Sequence, residues 1–292
     1  MSELTEKIIS TGQVWLSKAE NLNDPLECKT GLIPEDWKER TIAEMQSAQY
    51  FGTISAFPKQ VGHVNTILSL TPRETRRWIK KTLKMPHARK IKEMRALYNR
   101  HGLCLSKPED IFKQMALDLS EAGIFSLSER PDNELMWAHY GDNHKGLALG
   151  FSREEDNTLG DPNRTIRVSY RDEKPVFKTG FRNSVEISGN MKGGYQSKSR
   201  VAFDDEVFRA ALSTKTTPWA YEQEWRYVEP VAGLHNHPGR ITEIIYGYRM
   251  PLEARERYGE LLTMSGAQAK EFEVIPKEGA SGFLLREFRP KA

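Results

Sequence analysis

Cysteine is nearly absent from this chain: Cys28 and Cys104 are the only two in 292 residues, and they are far apart. Neither a disulfide framework nor a zinc site can be built from that spacing, which points to a reducing, cytoplasmic setting. Long apolar runs are missing as well. No stretch reaches the roughly 18 residues that span a bilayer. The opening MSELTEKIIS holds no apolar core of the about 7–15 residues that mark a secretory leader. No membrane partner is expected. There is no internal repeat and no low-complexity tract, and with 38% hydrophobic and 28% charged residues the chain does not read as disordered.

Charge is present but unevenly placed. Between Arg73 and Arg100 there are eleven Lys/Arg against two Glu, a net of +9, so the rest of the chain carries −6 under an overall +3. Arg73, Arg76, Arg77, Lys80, Lys81 and Lys84, then Arg89 and Lys90, fall on two successive helices with Trp78 among them. A solvated helical face would look similar. The concentration of charge against an acidic remainder favours phosphate contact, through the backbone of a nucleic acid rather than its base edges.

Residues 13–16 read as a strand and Asn23-Asp24-Pro25-Leu26-Glu27 as a turn. From Pro34 to about Gly123 the pattern is helical: one helix over about 35–50, one capped by Thr71 with Pro72 at its first position, one after Pro86 and one opened by Pro108. Beyond it, strands are expected at 123–128, 147–151, 164–171, 224–231, 241–248, 271–275 and 283–288, with helices at about 133–140, 204–213 and 252–263. The Gly-, Ser- and Lys-rich stretch 178–200 reads as a mobile loop. The expected fold is α+β: a mixed or split β-sheet core over residues 1–33 and 123–292, with a basic helical insertion at 34–122.

The segment Phe125–Phe151 is the densest in candidate side chains. A helix from Asn133 to Tyr140 puts Met136 and Tyr140 on one face and Leu135 and His139 on an adjacent one. With Trp137, His144 and Lys145 these could line a nucleotide cleft, although Trp137 and Met136 read as core residues ahead of ligand contacts and His139, His144 and Lys145 could simply furnish a helix end and a turn. Ser126 and Ser128 share one face of the preceding strand. A second constellation, Glu222, Glu224 and Arg226, would share a strand face opposite Gln223, Trp225 and Tyr227, with Lys215 just upstream. Asn23 and Asp24 form a third, either as a turn or with Asp24 orienting an imidazole. No metal-specific spacing is present; a metal-dependent nuclease built on Asp24, His139, His144 and Glu224 stands as a third functional reading.

NDPLE at 23–27, FSLS at 125–128, MWAHYGDNHKGLALGF at 136–151 and WAYEQEWRYV at 219–228 together resemble a bacterial family known as domain of unknown function 2971, over about residues 12–250. Members of that family usually carry a Tyr- and Arg-bearing strand ahead of the QVWLS-like segment, and none is seen here. The order Ser-x-Ser strand, aromatic helix, late Glu-x-Glu is also similar to that of ADP-ribosyltransferases. That resemblance implies NAD as co-substrate, Glu224 at the nicotinamide ribose and Glu222 at the acceptor, with Arg226 beside them. Ser126, Ser128, Trp137, His139, Tyr140, His144, Lys145, Asn23 and Asp24 would then hold the nucleotide. The expected activity is ADP-ribosylation of a nucleic acid, RNA ahead of DNA, in a toxin or phage-defence effector with a neutralising antitoxin partner. The alternative is a non-catalytic nucleic-acid or nucleotide sensor.

Overall fold

The computed structural model describes residues 3–60, 70–177, 180–189 and 194–289. In chain order the elements are α1 (Glu3–Thr11), β1 (Gln13–Leu16), α2 (Glu35–Gln60), α3 (Pro72–Leu83), α4 (His87–Arg100), β2 (Leu103–Cys104) and α5 (Ile111–Glu121). Then come β3 (Gly123–Ser128), α6 (Glu134–His139), β4 (Leu147–Phe151), β5 (Thr165–Arg167), β6 (Ser169–Tyr170), β7 (Asn183–Gly189) and β8 (Tyr195–Val201). The chain continues through α7 (Glu206–Leu212), β9 (Thr214–Lys215), β10 (Glu224–Glu229), β11 (Gly233–Asn236), β12 (Ile241–Tyr246), α8 (Leu252–Ser265), β13 (Lys270–Pro276) and β14 (Phe283–Glu287). The protein is α+β, as its patterning implies.

Two compact units divide these elements. The first comprises residues 1–29, 118–175 and 209–292; the second comprises 30–117 and 176–208. In the first, β10 lies between β3 and β5, antiparallel to both, and a separate sheet runs β14-β13-β12-β4. Alternation decides the two faces of β3 and β10. Phe125, Leu127 and Tyr227 pack with Phe151 of β4 and with Val14, Leu16 and Leu159, the Phe125 and Phe151 rings meeting edge to face at 5.8 Å. Ser126, Ser128, Glu224 and Arg226 point the other way. The β12 sheet is covered on one side by α1 and α8 through Ile9, Ile244, Tyr246, Tyr258 and Leu262.

In the second unit, α3 begins where the sequence says it should. The Thr71 hydroxyl accepts from the Glu74 amide while the Glu74 carboxylate accepts from the Thr71 amide at 2.8 Å, a reciprocal cap, and Pro72 follows. Pro86 separates α3 from α4. The two helices pack on α2 through Tyr50, Trp78, Ile91 and Met94, with a Tyr50–Thr82 hydroxyl contact at 2.8 Å. The stretch 178–200 departs from expectation. Its described residues form the antiparallel hairpin β7–β8, which β2 joins in parallel; residues 178–179 and 190–193 lie outside the described set. The hairpin is held by the Ser197 hydroxyl, which accepts from the Ser106 amide at 2.8 Å, and by a Ser106–Ser199 hydroxyl contact at 2.7 Å. Serine-rich composition therefore supplies cross-strand hydrogen bonds here rather than a flexible linker.

Candidate functional site

A cavity of about 320 Å³ opens in the first unit on the polar face of β3 and β10. Its floor is a closed set of charged side chains. Arg226 is fully buried, and β10 places it opposite Ser126. Its Nε donates to Glu224 Oε1 at 2.8 Å, its Nη2 to Glu224 Oε2 at 3.1 Å and to Glu27, and its Nη1 to the Leu212 carbonyl at 2.7 Å. Lys215, buried on β9, donates to Glu222 Oε2 at 2.6 Å and to Glu224 Oε2 at 3.3 Å. Its ammonium also sits 4.6 Å from the centre of the Trp219 ring. The Ser126 hydroxyl hydrogen-bonds the Glu224 carboxylate. Tyr140 donates to Glu222 Oε1 at 2.5 Å and accepts from the Asn23 amide at 2.7 Å. The Ser128 hydroxyl donates to the Glu222 carbonyl at 2.8 Å.

Glu222 and Glu224 do not share a strand face, because β10 begins only at Glu224. Glu222 ends a 3-10 turn over Thr217–Glu222, and Gln223 adopts a left-handed conformation with φ 46°. That single turn residue swings Glu222 back, so both carboxylates reach the same lysine from different directions. The charge balance follows. Glu27, Glu222 and Glu224 face Lys215 and Arg226, a net of −1 when all five are ionised. Burial would push the Glu224 carboxyl up, but the Arg226 guanidinium, with help from Lys215 and Ser126, outweighs it and holds the group below the ordinary carboxylate value. Burial would lower Lys215, and its carboxylate neighbours more than compensate, so it stays a cation. Burial and the hydrogen bond to Glu222 raise the Tyr140 hydroxyl well above its usual range, which keeps it a donor. Burial also pushes the Cys28 thiol, next to Arg226, up to about 11, so Cys28 is not an activated nucleophile.

The structure brings some predicted residues to this cavity and not others. Ser126, Ser128, Asn23, Tyr140, Glu222, Glu224 and Arg226 line it, and Met136 joins Tyr140 on the same helix face as expected. Asp24 holds a turn: its carboxylate accepts from the Leu26 amide at 2.8 Å and the Thr216 hydroxyl at 3.4 Å. Among the described residues it makes no hydrogen bond to an imidazole. Trp137 is core, packed with Ile245 and Val274, and its indole N–H donates to the Pro131 carbonyl at 2.6 Å. His139 is exposed, its ring 6.1 Å from that of Tyr221. His144 packs its ring 5.3 Å from Phe283, and Lys145 lines a different groove with Asp142, Glu253 and Arg257. No group of three or more His, Cys, Asp or Glu suited to a metal ion occurs among the described residues.

The connection after α6 accounts for the placement of His144 and Lys145. Asp142, Asn143 and His144 all hold positive φ, at 48°, 52° and 69°. Asn and Asp tolerate that region better than most residues. The Gly146 amide donates to the Gly141 carbonyl at 2.8 Å, and the Arg249 and Gly247 amides donate to the His144 and Gly146 carbonyls, both at 2.9 Å. A Cβ on Gly247 would come within 2.3 Å of the His144 carbonyl oxygen, and one on Gly141 within 2.7 Å of the Trp137 ring. These residues build a backbone clasp against β12, and their side chains point away from the cavity.

Residues 136–227 match the family model described as Protein of unknown function (DUF2971). The match bears out the family resemblance over MWAHYGDNHKGLALGF and nearly all of WAYEQEWRYV, with NDPLE and FSLS outside it, and it takes in the 141–146 arm of the clasp and the 3-10 turn that presents Glu222. No curated protein and no solved structure matches the chain. Sequence reading passed over several members of the site, Ser17 and Asn21 among them. Glu27 was visible only as the end of a turn motif. Leu22 carries no motif; Trp15 sits in the QVWLS-like segment, and its outward phase between the buried Val14 and Leu16 is the signal that could have flagged it.

Proposed function

We propose that the cavity binds NAD by its nicotinamide–ribose end and that the protein transfers ADP-ribose to a nucleic acid, RNA ahead of DNA, as a toxin or defence effector. The observation that carries this reading is the convergence of Ser126, Tyr140, Glu222 and Glu224 on one cavity, with Glu224 held as a carboxylate. In such a transfer the bond from ribose C1′ to the nicotinamide nitrogen breaks. The leaving ring keeps the electron pair and C1′ gains positive character. A fixed carboxylate within a net negative cluster stabilises that charge, and it also favours the cationic nicotinamide ring over a phosphate in the ground state. A volume near the lower end of small-molecule pockets, roughly 300–1000 Å³, suits this end of the dinucleotide and leaves the adenylate outside. Glu222, hydrogen-bonded to Tyr140 and Lys215, is the group available to take a proton from the acceptor.

The nucleic-acid part of the proposal rests on the second unit. Arg73, Arg76, Arg77, Lys80, Lys81, Lys84 and Arg89 are exposed, while Lys90 is half-buried with its ammonium 5.0 Å from the centre of the Tyr50 ring. Contacts from such side chains weaken with salt by about 0.9 in log–log slope for each duplex phosphate and about 0.7 on single strands. Label transfer from NAD to total RNA, with nicotinamide release monitored in parallel, is the test. Absence of both in the active-site-intact protein rejects the enzyme reading. One observation favours the non-catalytic sensor as second reading: the four oxygens of Glu222 and Glu224 already have partners within the protein. Nucleotide binding without turnover would select it.

A further inference from the structure

The rim of the cavity has a chemistry that its floor does not. Every charged residue lining the cavity, Glu27, Lys215, Glu222, Glu224 and Arg226, is buried. At the mouth stand Trp15 and Tyr140, 60% and 46% exposed, together with the exposed amides of Asn21 and Asn23. Trp15 is not a stray surface residue. Val14 and Leu16 on either side of it are fully buried, which fixes the phase of β1 and turns the indole outward. Pairing with β11 sets Trp15 opposite Leu234, itself 59% exposed, so the indole rises from a rigid two-stranded ribbon. A large aromatic kept exposed on a rigid element costs little conformational entropy to engage a ligand.

We infer that Trp15 is a stacking platform for an unpaired nucleobase of the acceptor strand, whose edge is read by the Asn21 and Asn23 amides. This rests on the transferase reading above and names its acceptor. A flat π-face beside carboxamides is the combination that binds single-stranded bases: stacking tolerates every base, and an amide pairs with the donor and acceptor groups of a base edge. The same charge count that favours a cationic ring inside repels phosphate from the cavity. The base therefore enters alone, splayed from its strand, with its backbone left outside the rim. A duplex cannot present a base in this way without paying for unstacking.

The test measures binding and chemistry separately. A short single-stranded oligoribonucleotide is titrated against the full chain and against Trp15→Ala, with an oligonucleotide of the same length carrying abasic sites as control. Stacking of one base is worth between about five-fold and a hundred-fold in affinity. We expect Trp15→Ala to lose at least the lower figure on the base-bearing strand, nothing on the abasic strand, and to regain most of it as Trp15→Phe. We also expect transfer to RNA to fall in Trp15→Ala by the same factor, and by more than nicotinamide release to water falls. If affinity for the two strands is equal in the wild type, the inference is overturned. If nicotinamide release falls together with transfer, Trp15 serves the co-substrate; the inference fails and the transferase reading stands. If the wild type releases no nicotinamide, that reading fails, and the binding arm alone still decides the stacking role. Labelling of protein but not RNA also overturns the inference.

Discussion

In the clasp after α6, three consecutive residues hold positive φ and two glycines leave no room for a side chain, yet the polar side chains of Asp142, His144 and Lys145 stay out of the cavity. Around Glu224 the backbone is ordinary strand and turn except at Gln223 and at Cys28 beside Glu27, while five charged side chains are buried in mutual contact. The first region is distinctive as sequence because a rare backbone admits few residue types. The second is faint as sequence, since Glu-x-Glu occurs by chance everywhere, yet it holds the buried charged groups on which the proposed transfer rests. Motif strength here measures backbone constraint, and chemistry has to be located by what converges in space.

That contrast can be broken by mutation. The largest expected effect is at Arg226. Replacing it with Met leaves Glu27 buried without its ion-pair partner and Glu224 with Lys215 alone, and loss of one partner of a buried ion set costs about 3–5 kcal/mol. Denaturant unfolding should show that loss; a change within about 0.5 kcal/mol would mean the cluster is not closed as described. Next comes Gly247→Ala, which drives a methyl into the His144 carbonyl. Overpacking of this kind costs about 1–3 kcal/mol, and nicotinamide release per folded molecule should stay unchanged. A large loss of turnover at intact stability would show that the clasp takes part in chemistry and erase the distinction between the two regions.

A smaller effect concerns acid. The folded Glu224 carboxyl is held below its ordinary value of 4.5, so its stabilisation is complete above 4.5 and disappears as pH falls through the lower folded-state value. Wild-type stability should therefore drop more steeply on acidification than that of Glu224→Gln, which cannot titrate there. Parallel acid profiles would refute the assignment of Glu224 as a buried, paired carboxylate. The smallest effect is Tyr140→Phe. It removes the hydrogen bond donated to Glu222 and the one accepted from Asn23, each worth about 0.5–1.5 kcal/mol at this half-exposed hydroxyl, and should lower turnover through Glu222 without moving the acid limb that belongs to Glu224.

Much of the fold was legible because its signals are local. Thr71-Pro72 opens α3, Pro86 divides α3 from α4, Asn133 caps α6 by accepting from the Leu135 amide at 2.9 Å, and LALGF is strand throughout. The β7–β8 hairpin was not legible, because NSVEISG and YQSKSRV hold few apolar residues and β8 is completed by β2 from far earlier in the chain. Within the site, Ser126, Ser128, Tyr140 and Glu224 followed from period and motif. Glu222 needed the left-handed Gln223 to be placed. Glu27 and Trp15 needed the tertiary structure, since neither spacing nor composition links residue 15 or 27 to residue 226. Trp137, His144 and Lys145 misled for the opposite reason: close in sequence to Tyr140, they are directed elsewhere by the helix phase and by the clasp.

The central claim is that Glu224 stabilises positive charge at the floor of this cavity. It is tested most directly by nicotinamide release from NAD with wild-type protein and with Glu224→Gln, the fold of each checked by near-ultraviolet circular dichroism. Loss of a preorganised electrostatic group of this kind costs on the order of 10²- to 10³-fold in turnover, and a loss of that size at unchanged fold is the predicted result. Equal release by the two proteins would contradict the account.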